Sequence, residues 1–350
     1  MRDPGEAVAS TGRDRPDVSV VMPVYGSRPS LGRAIDAVLA QRFAGSFELV
    51  VVASADTPGD LADVPAHPSL SAVTHVGRLR PAAARNLGVA RARADLLAFT
   101  DDDAICDPDW LARLVDASDG TTAVTGSIVN GTPASPAGTA EYLVDRLDLC
   151  PTRPRGPGPW HGDTANLLVP RDLWDTFGPF DEGVVGATDT ILTGRLYEEG
   201  ALLFEPAARV THLNRTSVRS TLRVQYFRGR TSALLGRTSG PHPAKFLLTR
   251  PVLAPVALVA RVFSIYGRCA LWSPEPMSQT VLRLPLLVLV LGAWAAGLAV
   301  EGARLDRDAA SAPPARPDVG DGRWALIGST RRGRRRGRRR RTSGAARGTP

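Results

Sequence analysis

The chain has 350 residues, 43% of them apolar, enough for a sizeable core, which excludes a wholly disordered polymer. Its formal charge of +8 suggests a polyanion binder, yet residues 331–350 hold ten of the 43 basic residues and no acidic one; without them 33 basic residues face 35 acidic ones, a net of −2. The basic character belongs to a tail, so composition gives the body no specific nucleic-acid role. Cys106, Cys150 and Cys269 are widely spaced and lack a CxxC pair, which points to neither a zinc site nor a disulfide framework and fits a reducing compartment.

In chain order, residues 1–16 are polar without an apolar core segment and read as a disordered leader, not a secretory signal. "VSVVMPVY" (18–25) is a β-branched run, "SLGRAIDAVLAQRF" (30–43) has helical spacing behind Ser30 as an N-cap, and "FELVVVAS" is a second strand. Strand, helix, strand at this spacing is a βαβ unit with parallel strands and a right-handed crossover. "PAAARNLGVARARA" (81–94) and "DLLAFT" extend the pattern into an open α/β sheet, whose ligands bind beyond the carboxyl ends of its strands.

At one such end stands "DLLAFTDDDA" (95–104). Asp is disfavoured in strands, so the chain leaves the sheet near Thr100 and presents three carboxylates. Two acids separated by one residue on a turning backbone can face a divalent cation shared with substrate phosphates. Asp is also common in turns, and "DPDW" follows closely, so the triplet alone leaves both readings open.

The segments "VSVVMPVYGSRPSLGRAIDAVLAQ", "RPAAARNLGVARARADLLAFTDDDAICDPDWLARLV" and "NLLVPRDLWDTFGPFDE" together resemble the successive blocks of family 2 glycosyltransferases with the GT-A fold, over roughly residues 17–232. The resemblance implies an open mixed α/β sheet flanked by helices. It also implies inverting transfer of a sugar from a nucleotide diphosphate donor to an acceptor hydroxyl, with Mn²⁺ or Mg²⁺ on the diphosphate. Asp101 and Asp103 match the Asp-x-Asp metal motif, with Asp102 between them; Asp189 matches the catalytic base, and His212 a further metal ligand. From the residues alone, Asp189 also suits a helix N-cap before "TILTGRL", and a lone His is as often structural. The resemblance further implies donor contacts at Pro23, Val24, Tyr25, Asp56, Arg85 and Asn86, and in "WHGDTANLLV" at Gly162, which permits close backbone approach, and Asn166, which closes the loop.

Three departures stand out. Ala53 and Ser54 occupy places where the family usually carries acids, so base recognition leans on Asp56 or on backbone groups. Thr188 replaces the first acid of the pair at the base, which removes a like-charged neighbour that would raise the pKa of Asp189. "QYFRG" (225–229) has Gly229 where processive synthases carry Trp, which argues for addition of a single sugar; Arg228 and Arg230 are available to the diphosphate or decorate a helix.

Beyond the catalytic segment (17–240), residues 241–303 form an apolar region. "LPLLVLVLGAWAAGLAV" (284–300) is a charge-free stretch of 17 residues, at the short end for a spanning helix. "FLLTRPVLAPVALVARVFSIYG" (246–267) is broken by Arg and Pro and reads as interfacial, re-entrant or a weak first span. Residues 304–350 read as a disordered Arg-rich tail attracted to anionic lipid. A catalytic domain facing the cytoplasm at the cytoplasmic membrane, with a lipid-linked or envelope glycan as acceptor, follows as the expectation. Two competing readings are weaker. An Asp-x-Asp phosphatase lacks its downstream Lys, since the only Lys is Lys245, and a degenerate sugar-nucleotide scaffold must explain why Asp101, Asp103, Asp189 and His212 are all retained.

Overall fold

The first apolar run forms β1 (Val18–Tyr25), whose Val18, Val20, Val21 and Met22 are all buried, as expected of a strand covered on both faces. The computed structural model describes residues 15–184, 186–238, 244–272 and 283–311. Along the chain follow α1 (Leu31–Leu39), β2 (Phe47–Ala55), β3 (Leu70–Val76), α2 (Pro81–Arg91), β4 (Leu96–Phe99), β5 (Ala104–Cys106), α3 (Trp110–Ser118) and β6 (Ala123–Asn130). Then come α4 (Pro136–Asp145), β7 (Gly156–Pro157), β8 (Leu167–Pro170), α5 (Arg171–Phe177), α6 (Thr188–Glu198), β9 (Leu202–His212) and α7 (Val218–Thr238). The described chain closes with α8 (Lys245–Leu248), α9 (Ala254–Trp272) and α10 (Leu284–Ser311).

The sheet runs β3-β2-β1-β4-β8-β6-β9-β5, with β7 also paired to β9. The β1, β2, β3 and β4 pairings are parallel, as the βαβ reading requires, whereas β8 is antiparallel to both β4 and β6, which makes the sheet mixed. One face packs on α1, α3 and α4 through Ile35, Val38, Trp110, Leu114 and Leu143; the other packs on α2, α5 and α6 through Val89, Trp174, Leu192 and Leu196. α1 is shorter than the 30–43 pattern because the Gln41 side chain and the Arg42 amide bond to the carbonyls of Asp107 and Pro108 instead of extending the helix. Ser30 occupies the N-cap position, but its hydroxyl makes no capping bond.

Helices α9 and α10 are docked on this unit, and the described residues through residue 310 cluster together. α10 crosses α7 at two glycines: a Cβ on Gly229 would lie 1.9 Å from the Trp294 carbonyl oxygen, and one on Gly297 would lie 2.0 Å from that of Tyr226. Gly229 therefore stands where another side chain would hold the helices apart. α9 is inverted relative to a water-facing helix. Val256, Val259, Phe263 and Leu271 point outward, while Arg261 and Arg268 turn in toward the Val144 carbonyl and Asp148. By length and composition, Pro251–Trp272 and Leu284–Ala309 are both able to cross a membrane.

Two expectations change in part and otherwise fall outside the described residues. Residues 304–311 are helical, not a disordered tail, because Arg304 pairs with Glu301 and Asp308 one turn either side and Arg237 pairs with Asp306. Of the leader, Arg15 is tied to Asp95. Residues 1–14 and 312–350, with most of the leader and the Arg-rich tail, lie outside the described residues.

Replacing Gly229 or Gly297 by Ala forces backbone apart, so each substitution should destabilise the protein by about 3 kcal/mol, at the upper end of overpacking costs. Chemical denaturation in neutral detergent checks this; unchanged midpoints in both variants would mean that α10 does not dock on α7.

Candidate active site

The site is created by strand pairing. β4 ends at Phe99, Thr100 donates its amide to the Val21 carbonyl, and a turn closed by the Ala104 amide on the Asp101 carbonyl carries the three acids. β5 then runs antiparallel to the end of β9, with Ala104 opposite His212 and the Leu213 amide on the Asp103 carbonyl. That register sets His212 Nε2 3.2 Å from Asp103 Oδ1. Asp101, Asp103 and His212 each offer a ligand atom within 4.8 Å of one another.

The electrostatics of this cluster fit a divalent cation. Burial and the Arg146 guanidinium hold His212 well below the usual imidazole range, so the ring is neutral. Arg146 Nη2 lies 2.9 Å from His212 Nε2 and, as the donor, occupies that nitrogen's one lone pair, so an ion bound at Nε2 would take the place of this guanidinium contact. Burial, and then the charge of Asp101, push Asp103 up to about 6; burial pushes Asp102 to about 7 despite Arg28, whose Nε is 3.1 Å from Asp102 Oδ2. Acceptors converging on one another in a buried place are what a hard divalent ion resolves.

Around this cluster lies a cavity of about 940 Å³. Pro23, Val24 and Tyr25 line it at the carboxyl end of β1, together with Ser54 and Arg85. Asp56 is not in the wall, but its Oδ2 accepts the Tyr25 hydroxyl at 2.6 Å and so orients that ring, over which Arg78 sits at 4.7 Å. Arg85 Nη2 donates to Asp101 Oδ1 at 2.6 Å, which fixes the first acid from α2. Gly162 also lines the cavity; its amide donates to Thr193 Oγ1 at 2.9 Å, and a Cβ there would meet Thr193 Cγ2 at 2.9 Å.

Two candidates sit elsewhere. Asn166 is fully buried, accepts the Trp110 indole and donates to the Ser127 and Ala208 carbonyls, so it pins the loop before β8 to the core and does not line the cavity. Asn86 bonds both backbone groups of Phe180 and the Glu182 carboxylate, anchoring the segment after α5.

Asp189 lines the same cavity, as does Asp163. It is not the N-cap: Ala187, at φ 53°, holds that place, and Asp189 lies in the first turn of α6 with its Oδ1 accepting the Thr190 amide at 2.8 Å. Burial raises its pKa, and Asp163 raises it further while Arg85 opposes. The like-charged neighbour missing at Thr188 is thus supplied through space by Asp163, itself held ionised by Arg146, whose Nε is 3.0 Å from Asp163 Oδ2. Asp163 was legible only as the residue after Gly162; Arg28 and Arg146 were not picked out from the sequence. In "QYFRG", Gln225 and Arg228 both bond Asp145 at the end of α4, and Arg230 pairs with Glu301 on α10, so these groups tie helices together, with Arg228 also in the cavity wall.

Strand order and acid cluster define a nucleotide-sugar transferase fold of GT-A type, and comparison with known proteins agrees. Residues 19–146 match the family described as Glycosyl transferase family 2. It is 31% identical over 269 residues to the pre-mycofactocin glycosyltransferase of Mycobacterium tuberculosis, covering 73% of this chain and 54% of that protein. It is 28% identical over 191 residues to the glycosyltransferase AglE of Haloferax volcanii, covering 53% of this chain and 62% of that one. The chain therefore spans about half to three fifths of the length of these relatives. In structure it is similar to the mannosyltransferase PcManGT from Pyrobaculum calidifontis, solved with GDP-Man and Mn²⁺, at a TM-score of 0.52 and 21% identity over 83% of this chain and 87% of that one.

Saturating Mn²⁺ should raise the melting temperature at pH 7.5 by about 5–10 °C, as expected for an ion at a hundredfold excess over its Kd. Asp103→Ala should abolish the shift, and acidification below about pH 6, where Asp103 takes a proton, should shrink it. Thermal unfolding with and without EDTA reads this directly.

Proposed function

We propose that the protein is an inverting glycosyltransferase that moves one sugar from a nucleotide diphosphate donor to an acceptor hydroxyl. The observation that carries the reading is the meeting, in one cavity, of the Asp101, Asp103 and His212 cluster with the Asp189 carboxylate from α6. Asp101, Asp103 and His212 would hold Mn²⁺ or Mg²⁺. The ion supplies Lewis-acid stabilisation of the charge that grows on the departing diphosphate.

The remaining chemistry belongs to the chain's own groups. Asp189 accepts the proton of the acceptor hydroxyl as its oxygen attacks the anomeric carbon from the face opposite the leaving group. Its raised pKa makes it a stronger base than an exposed Asp. Arg85 stands between Asp101 and Asp189 electrostatically, tempering the repulsion among the acids. Tyr25, oriented by Asp56, lies where a nucleoside would enter at the carboxyl end of β1.

Packing of α10 onto Gly229 supports a single addition, since a helix backbone fills the space beside the QYFRG turn. The outward apolar faces of α9 and α10 support attachment to a membrane, with the helices docked on the catalytic unit and their outer sides in the apolar layer. Nucleotide sugars are cytosolic, so the catalytic face is assigned to the cytoplasmic side of the cytoplasmic membrane. Tethering there favours a lipid-linked or envelope glycan as acceptor.

Asp189→Asn should lower sugar transfer, or the slow transfer to water, by about 10²–10⁴-fold while leaving donor binding intact. The acid limb of the wild-type pH–rate profile should lie above the ordinary Asp value of about 3.9, and Arg85→Gln should move it higher. Turnover by Asp189→Asn equal to wild type on a donor that both bind would refute the assignment of the base.

A further inference from the structure

The cavity does not end at the acid cluster. Past Arg228 it continues into an arm walled by Leu247 and Leu248 of α8, Ala257 and Ala260 of α9, and Trp294 of α10. These walls are apolar, yet the guanidinium groups of Arg228, Arg261 and Arg268 all face the same space. Arg228 is paired with Asp145, and Arg268 with Asp148. Among the described residues, Arg261 makes no carboxylate ion pair: its Nη2 donates to the Val144 carbonyl at 3.2 Å, and its guanidinium lies 4.5 Å from the Trp294 ring centre. Arg228 and Arg268 act on it as like charges.

The orientation of these groups is the unusual part. A helix that only packed on a soluble domain would bury its Val and Phe and send its Arg to water, whereas α9 exposes Phe263 at 72% and Leu271 at 74% and turns Arg261 and Arg268 inward. Packing does not need a guanidinium there, and a half-buried one with no carboxylate of its own, Asp148 being paired with Arg268 and acting on it only at longer range, is costly. An anion brought by a ligand would supply the missing partner, and guanidinium groups suit phosphate oxygens.

We propose that this arm is a subsite for the phosphate of an amphiphilic acceptor carrying an alkyl or prenyl chain. The phosphate sits on Arg261, flanked by Arg228 and Arg268. The chain lies along Leu247, Leu248 and Ala260 and leaves toward the apolar outer face of α9, which borders the membrane. The inference rests on the transferase reading, since the acceptor must present its hydroxyl to Asp189 from the same cavity.

The test uses the full-length protein in neutral detergent, titrated calorimetrically with farnesyl phosphate, farnesol and inorganic phosphate. Wild type should bind farnesyl phosphate at least tenfold more tightly than either of the others. Arg261→Gln should lose at least tenfold for farnesyl phosphate while keeping its unfolding midpoint and its Mn²⁺-dependent binding of nucleoside diphosphates. Ala260→Trp, which fills the arm, should weaken farnesyl phosphate and leave inorganic phosphate unchanged. Equal binding of farnesyl phosphate by wild type and both variants, or of farnesol and farnesyl phosphate by wild type, overturns the proposal. Inorganic phosphate bound as tightly as farnesyl phosphate overturns the amphiphilic ligand. Loss of nucleoside diphosphate binding in every sample contradicts the transferase reading instead, and the farnesyl phosphate titration still decides the subsite.

Discussion

The antiparallel pairing of β5 with β9 is the constraint on which the site depends. β5 is only three residues long, yet its register brings the turn after β4 against the last residue of an 11-residue strand. A slip of one residue would move His212 to the other side of the sheet and leave Asp101 and Asp103 with no third ligand. The acids themselves need only a turn; the histidine needs the whole path of β6, α4 and α6 that leads to β9. Fold and chemistry meet at that short ladder.

The second organising feature is charge placed at close quarters. Asp101, Asp102, Asp103, Asp163 and Asp189 share one cavity, opposed by Arg28, Arg85 and Arg146. The three arginines divide the acids among them. Arg28 bridges Asp102 and Asp103, Arg85 holds Asp101, and Arg146 joins Asp163 to His212. Burial raises Asp102, Asp103 and Asp189, while at Asp163 the Arg146 guanidinium outweighs burial and holds the carboxyl down. Carboxylates pushed apart in this way suit different roles, some toward a cation and one toward a proton.

Much of this was legible in the residues because buried parallel strands leave continuous apolar runs, as in "VSVVMPVY" and "FELVVVAS". Consecutive acids directly after such a run repel one another, a cost that a bound cation offsets, so they raised the metal reading in the sequence, although the turn reading stayed open until the family resemblance was added. What depended on tertiary placement was not legible. Asn166 and Asn86 look like site residues in their motifs and turn out to hold backbone, because an Asn amide serves loop closure as readily as a ligand. The loss of the acid at 188 pointed to an isolated base; Asp163, distant in sequence, restores the neighbour. Gly229 signalled only a missing Trp until α10 was seen to cross there. The C-terminal helices gave their apolar character in sequence, but not the inward turn of Arg261 and Arg268, since periodicity fixes a face and not what lies opposite it.

If a divalent ion at Asp101, Asp103 and His212 holds the donor diphosphate, nucleotide binding must depend on that ion. Calorimetric titration of a panel of nucleoside diphosphates into the protein, with Mn²⁺ and after chelation by EDTA, tests it most directly. At least one nucleotide should bind, and chelation should weaken it tenfold or more. Binding of equal strength with and without Mn²⁺, or no binding of any nucleotide by the folded protein, would contradict it.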